Sequence, residues 1–167
     1  MKNKILSFLL QILIFVVIFY GIEYWQTRHL LSDSGNISAP NFNLVSLDNK
    51  TFSLSQLSKS TTVLYFFAPW CKVCHYSIGN LEDLYQAKKE EGINVFAIAL
   101  DWQSLNEMKQ YRASHKLTMP ILLGDSSIQA AYHIEGFPTY YVLDKNRLIK
   151  KVSMGYSTEL GLRLNTF

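Results

Sequence analysis

The stretch Thr62-Val63-Leu64-Tyr65-Phe66-Phe67-Ala68-Pro69-Trp70-Cys71-Lys72-Val73-Cys74-His75 decides the fold. Its first seven residues form a continuous apolar run rich in aromatic and β-branched side chains, which suits a strand buried on both faces. Beyond Pro69 the pattern changes period. Cys74, Ile78, Leu81 and Tyr85 recur at +4, +3 and +4, the spacing of an amphipathic helix that ends near Glu91-Gly92. A buried strand therefore turns into a helix at Trp70-Cys71, and both cysteines of the chain lie at that turn.

This position gives the cysteines their chemistry. A thiol at a helix N-terminus faces unpaired backbone N–H groups and the positive end of the helix dipole, so its thiolate is favoured. Cys71 is expected at that end, with Cys74 one turn further in, close enough to bridge and better shielded. Lys72 and His75 add cationic character, and Val73 completes the intervening pair. The pattern predicts Cys71 as the attacking thiolate and Cys74 as the residue that resolves a mixed disulfide.

Other chemistries fit parts of the motif. A structural bridge over two intervening residues closes so small a loop that it removes little unfolded-state entropy. Zinc needs four ligands, and no second Cys/His pair at ligand spacing follows. Two soft thiolates alone would suit Cu(I). Cys71-Lys72-Val73-Cys74-His75 also matches the haem-attachment pattern C-x-x-C-H, with Met108, Met119 and Met154 available as a sixth ligand. The strand-to-helix setting and the α/β alternation around it differ from the mostly helical small cytochromes.

Outward from the motif, Phe42–Leu47 and Thr51–Leu54 alternate about Asp48-Asn49-Lys50 and read as a hairpin. Ile93–Leu100 is a second buried strand. Ser104–His115 reads as a helix, Ile121–Leu123 as a short strand, and Ile128–His133 as a short helix. Thr139–Leu143 and Leu148–Met154 close the domain as strands. Strands alternating with helices predict a mainly parallel central sheet with helical crossovers. His115 and His133 are isolated in the sequence and are expected on the surface or in loops.

Ile5–Ile22 carries no charge over 18 residues, a helix of about 27 Å against a hydrocarbon core of roughly 30 Å. Met1-Lys2-Asn3-Lys4 also suits the start of a cleaved signal peptide. However, the apolar run is long for one, and it ends in Gly-Ile-Glu-Tyr-Trp-Gln without a small-x-small site. Tyr20, Tyr24 and Trp25 lie where an interfacial aromatic belt would. Lys2 and Lys4 precede the span and Arg28 alone follows closely, which predicts a cytoplasmic N-terminus and an exported remainder. The expected organisation is a cytoplasmic 1–4, a transmembrane signal-anchor 5–22, a polar linker 23–38 and one domain over 39–167, at the inner membrane in single-pass form with the domain periplasmic or otherwise extracytoplasmic.

The 167 residues are 49% hydrophobic and 14% aromatic, which excludes a disordered or collagen-like chain. Two cysteines exclude a disulfide scaffold. A net charge of +3 without a basic block disfavours nucleic acid as a partner.

Phe66-Phe67-Ala68-Pro69-Trp70-Cys71-x-x-Cys74 resembles the active-site segment of thioredoxin-fold proteins. Gly136-Phe137-Pro138-Thr139, beginning 65 residues after Cys71, resembles the family's cis-proline loop. The apolar span, linker, hairpin and added helical stretch are similar to the membrane-anchored TlpA/ResA group. Within that group, Gly155–Leu164 most resembles the D protein of the suppressor-of-copper-sensitivity system.

The resemblance covers Ala39–Phe167. It implies a thioredoxin fold, with a mixed central sheet flanked by helices and extended by an N-terminal hairpin. It further implies a protein thiol–disulfide oxidoreductase whose redox-active Cys71/Cys74 pair serves in place of any cofactor or metal. Trp70 would shield the pair, and Phe137, Pro138 and Thr139 would shape substrate docking through a cis Phe137–Pro138 bond. Cysteine-containing envelope proteins would be the substrates, a DsbD-like transmembrane protein the reductant, and copper-stress tolerance a linked process. Two positions depart from the family. Tyr65 and Ser77 stand where thioredoxins and the TlpA/ResA group respectively place acids that relay protons, which leaves Glu82, Asp83 or His75 as substitutes, or none.

Overall fold

In the computed structural model, which describes residues 2–57, 60–158 and 161, the apolar run becomes strand β3 (Thr62–Phe67), with all six residues buried. The preceding elements are helix α1 (Lys2–Thr27) and a two-stranded hairpin, β1 (Asn43–Val45) and β2 (Thr51–Ser53). After β3 come α2 (Lys72–Lys88), β4 (Asn94–Ala99), α3 (Leu105–Ser114), β5 (Ile121–Leu123), α4 (Ser126–Ala131), β6 (Thr139–Leu143) and β7 (Ile149–Met154). The central sheet has the order β5-β4-β3-β6-β7. This is a thioredoxin fold, with β3 at the middle of the sheet and helices against both faces.

The sheet is mixed, not mainly parallel. β3, β4 and β5 run parallel, whereas β6 is antiparallel to β3 and β7 to β6. For β7 the reason lies in Asp144–Leu148. A parallel connection needs a dozen or more residues, and this one is a tight turn. Asp144 Oδ1 accepts from the Asn146 and Leu148 N–H groups, and Arg147 adopts φ 64°.

Strand alternation divides the core in two. Val63, Tyr65 and Phe67 face Cys74, Ile78 and Leu81 of α2 and Met108 and Tyr111 of α3. Leu64 and Phe66 face Phe42, Leu54, Ile128, Tyr132 and Tyr141. Fully burying side chains of this size contributes about 1.5–3 kcal/mol each, so every inward substitution on β3 is costly. The hairpin covers the β5 edge through a Ser46–Leu122 bridge and a Leu47 N–H to Ile121 carbonyl bond of 2.8 Å.

Helix boundaries follow capping chemistry. Ser104 accepts from the Glu107 N–H at 3.1 Å, while Glu107 accepts from the Gln103 N–H at 2.8 Å, which fixes the start of α3. Asp125 caps α4 by accepting from the Ser127 and Ile128 N–H groups, so that helix begins earlier than the apolar pattern indicates. The stretch read as a linker is partly held. Gly35 donates a backbone bond to the Ile149 carbonyl, the Ile37 carbonyl accepts from the Ile149 N–H, and Leu30 is buried. Ile5–Ile22 lies within α1, has a mean hydropathy of 2.7 and is not buried. This segment is long and apolar enough to cross a membrane.

Candidate active site

The turn between β3 and α2 places Cys71 as the N-cap of α2, and its Sγ accepts from the Cys74 N–H at 3.1 Å. Cys71 and Cys74 are joined as a disulfide with their Cα atoms 5.2 Å apart. Cys71 is 6% exposed and Cys74 is fully buried, so an incoming disulfide meets Cys71 first. When the bridge opens, the Cys74 N–H and the first-turn N–H groups of α2 are left facing the Cys71 sulfur. That is the setting in which a thiolate is favoured. Trp70, Lys72 and Val73, next to it in the chain, are exposed.

The second motif comes to the same end of the sheet. Phe66 pairs with Thr139 in the β3–β6 ladder, which carries Pro138 alongside Phe67 as the chain approaches the cysteines. The Phe137–Pro138 peptide is cis. Phe137 meets Trp70 edge-to-face with ring centroids 5.7 Å apart. Thr139 is buried and donates its hydroxyl to the Gly136 carbonyl at 2.9 Å, while the Pro138 carbonyl accepts from the Gly155 N–H at 2.8 Å. Gly136 lets Met154 pack closely on this loop, since a Cβ there would lie 2.8 Å from Met154 Sδ.

Several partners had no local signal in the sequence. Trp70 Nε1–H donates to Asp101 Oδ2 at 2.7 Å, and Asp101 holds φ 52° just beyond β4. This bond joins positions 31 residues apart. His115 is not isolated. Its Nε2 lies 3.0 Å from His75 Nδ1, and the two rings pack against Tyr111 at 4.4 and 5.0 Å. His75 Nε2 lies 2.7 Å from the Pro69 carbonyl, which can only accept, so that nitrogen carries the proton. His133 is exposed, with Nδ1 3.2 Å from the His29 carbonyl.

The two positions that depart from the family bond to each other. Tyr65 is buried, and its hydroxyl lies 2.5 Å from Ser77 Oγ, which donates to the Val73 carbonyl at 3.0 Å. Burial pushes the Tyr65 phenol far above its ordinary range, against the lowering effect of the Ser77 bond.

Glu82 is spent elsewhere. Its oxygens accept from the Thr118 N–H at 2.9 Å, the Met119 N–H at 3.1 Å, the Gln86 amide at 2.8 Å and the Thr118 hydroxyl. Burial alone would raise its carboxyl, but these bonds outweigh burial and hold it below the ordinary carboxylate range. As for the haem alternative, Met108 and Met119 are fully buried in the core.

The sequence matches the AhpC/TSA family over residues 36–152. It is 30% identical to the thioredoxin-like protein YneN of Bacillus subtilis over 154 residues, covering 89% of each chain. Against the thiol-disulfide oxidoreductase ResA of Oceanobacillus iheyensis it is 29% identical over 157 residues, covering 91% of this chain and 81% of ResA. The crystal structure of a thiol:disulfide interchange protein of the thioredoxin family from Chlorobium tepidum superposes with a TM-score of 0.71 at 24% identity. That match covers 77% of this chain and 92% of the other, and it supports the fold.

Proposed function

We propose that this chain, which belongs to the AhpC/TSA family and is a thioredoxin-like thiol–disulfide oxidoreductase of the ResA type, is a membrane-tethered reductase of extracytoplasmic protein disulfides. The observation that carries the reading is the sulfur of Cys71 at the N-cap of α2, facing the Cys74 N–H at 3.1 Å.

In the reaction, the Cys71 thiolate attacks one sulfur of a substrate disulfide and expels the other as a thiolate. Cys74 then gives up its proton and attacks Cys71, and the second substrate thiolate leaves. Two electrons pass to the substrate and the Cys71–Cys74 bridge closes. An extended substrate segment lying along the Phe137 backbone would be held as an added strand, with Trp70 and Phe137 forming one wall.

The apolar Ile5–Ile22 segment, with Lys2 and Lys4 ahead of it, supports a single-pass anchor at the inner membrane, with the catalytic domain on the extracytoplasmic side. A reductase in an oxidising compartment needs electrons from across the membrane, and a DsbD-like transmembrane reductant has that chemistry. A link to copper-stress tolerance rests on Gly155–Leu164, of which 159, 160 and 162–164 lie outside the described residues. A reduced Cys71/Cys74 pair also has the softness to hold Cu(I).

A Cys74→Ser variant cannot resolve its mixed disulfides. Expressed in cells, it is expected to accumulate reductant-sensitive adducts with cysteine-containing extracytoplasmic proteins. A variant that accumulates no such adducts overturns the reading.

A further inference from the structure

The resolving step requires a negative sulfur in an apolar place. Cys74 is fully buried within the same cluster as Tyr65, Phe67, Ile78 and Tyr111. A thiolate there is costly unless donors reach it. The carboxylate of Glu82 is engaged with Thr118 and Met119 and offers no proton. Three hydroxyls lie beneath the first turns of α2.

Ser77 is one helical turn beyond Cys74 on the same buried face, and three-residue spacing sets such side chains side by side. Its partner, the Val73 carbonyl, belongs to the residue next to Cys74. Because Ser77 donates to that carbonyl, Tyr65 donates to Ser77, and both protons are spent. The third hydroxyl is unspent. Tyr111 is 4% exposed, and its Oη has no hydrogen-bond partner among the described residues. Its ring is held by Phe67 at 5.0 Å on one side and by His75 and His115 on the other. Burial first, and the nearby Tyr65 phenol second, keep Tyr111 protonated, so it is a permanent O–H donor. A buried donor without a partner costs about as much as a lost hydrogen bond, which calls for an explanation.

We propose that the Tyr111 hydroxyl, in the same buried cluster as Cys74, is held as a donor for the Cys74 sulfur during resolution. While the Cys71–Cys74 bridge is closed, the sulfur carries no charge and the donor is unspent. In the mixed disulfide, Cys74 loses its proton to solvent, and the Tyr111 hydroxyl stabilises the thiolate until it attacks Cys71 and the substrate thiolate leaves. Donors placed in advance for a charge that exists only during reaction are worth far more in a dry site than in water. The assignment rests on the thiol–disulfide exchange described above.

The test separates the two steps. Reduced full-length protein in detergent is mixed with Ellman's reagent. Attack by Cys71 releases one thionitrobenzoate, and resolution by Cys74 releases a second. Tyr111→Phe is expected to leave the first release unchanged and slow the second about tenfold at neutral pH, as fits a hydrogen bond to a charged group. The pH profile of the second release is expected to move upward. Tyr132→Phe, a buried tyrosine on the other core face, is expected to leave both releases unchanged.

A second release in Tyr111→Phe as fast as in the parent overturns the proposal. So does equal slowing of both steps, or equal slowing by Tyr132→Phe. A parent protein that releases only one equivalent overturns the exchange reading and this assignment with it.

Discussion

Removing the Glu82 carboxylate should destabilise the domain without touching the redox step. Glu82 is 9% exposed on α2 and holds the segment that leads into β5. In Glu82→Ala the Met119 N–H is left buried and unpaired, at about 1–3 kcal/mol, while the Thr118 N–H lies at an exposed residue where water can replace the lost bond. With the lost packing of the side chain, the expected cost is about 3 kcal/mol. Glu82→Gln keeps one acceptor oxygen and loses the charge, so about 1–2 kcal/mol is expected.

The pH dependence follows from the lowered carboxyl of Glu82. A group whose folded pKa is depressed stabilises the fold above its unfolded value of about 4.3, and that contribution disappears as pH falls through the folded value. The gap between the parent and Glu82→Gln should therefore hold from neutral pH to about pH 5 and close in stronger acid. Urea unfolding followed by tryptophan fluorescence at neutral and acid pH measures both quantities. A Glu82→Ala variant within about 0.5 kcal/mol of the parent, or a gap that widens on acidification, would refute the reasoning.

Three other variants test the packing and the site. Gly124→Ala places a Cβ 2.8 Å from Leu100 Cδ2 and 3.2 Å from the Ala99 carbonyl, so a loss of about 1–3 kcal/mol is expected in the same urea assay. Asp101→Ala frees the Trp70 indole, which is 61% exposed, and is expected to cost about 1 kcal/mol or less in stability. Its effect should appear as a change in Trp70 emission and a few-fold slower exchange with a protein disulfide, read in an insulin-reduction assay. Arg112→Ala breaks a bidentate pair with Asp48, which is half-exposed, and melting should report less than about 1 kcal/mol.

The local features of this chain were legible because they are periodic or clustered in sequence. The apolar run at 62–68 is β3, and the +4, +3, +4 recurrence is the buried face of α2. The cysteines were placed by the change of period between those two elements. The direction of β7 relative to β6 was also within reach, because five residues after Leu143 cannot make a crossover. The start of α4 was missed since its signal is a capping Asp, not an apolar residue.

What could not be read is what distance in sequence hides. Trp70 meets Asp101, His75 meets His115, and Glu82 meets two backbone N–H groups that carry no residue identity. Tyr65 and Ser77 were visible as departures, but their mutual bond depends on the registration of α2 over β3.

The most direct test of the central claim is the reduction potential of the Cys71/Cys74 couple, measured by alkylation trapping across a glutathione or dithiothreitol redox series. A reductase of extracytoplasmic disulfides is expected to lie below about −200 mV, toward the thioredoxin end of the range. A value near −120 mV, that of a strong oxidant, would contradict it.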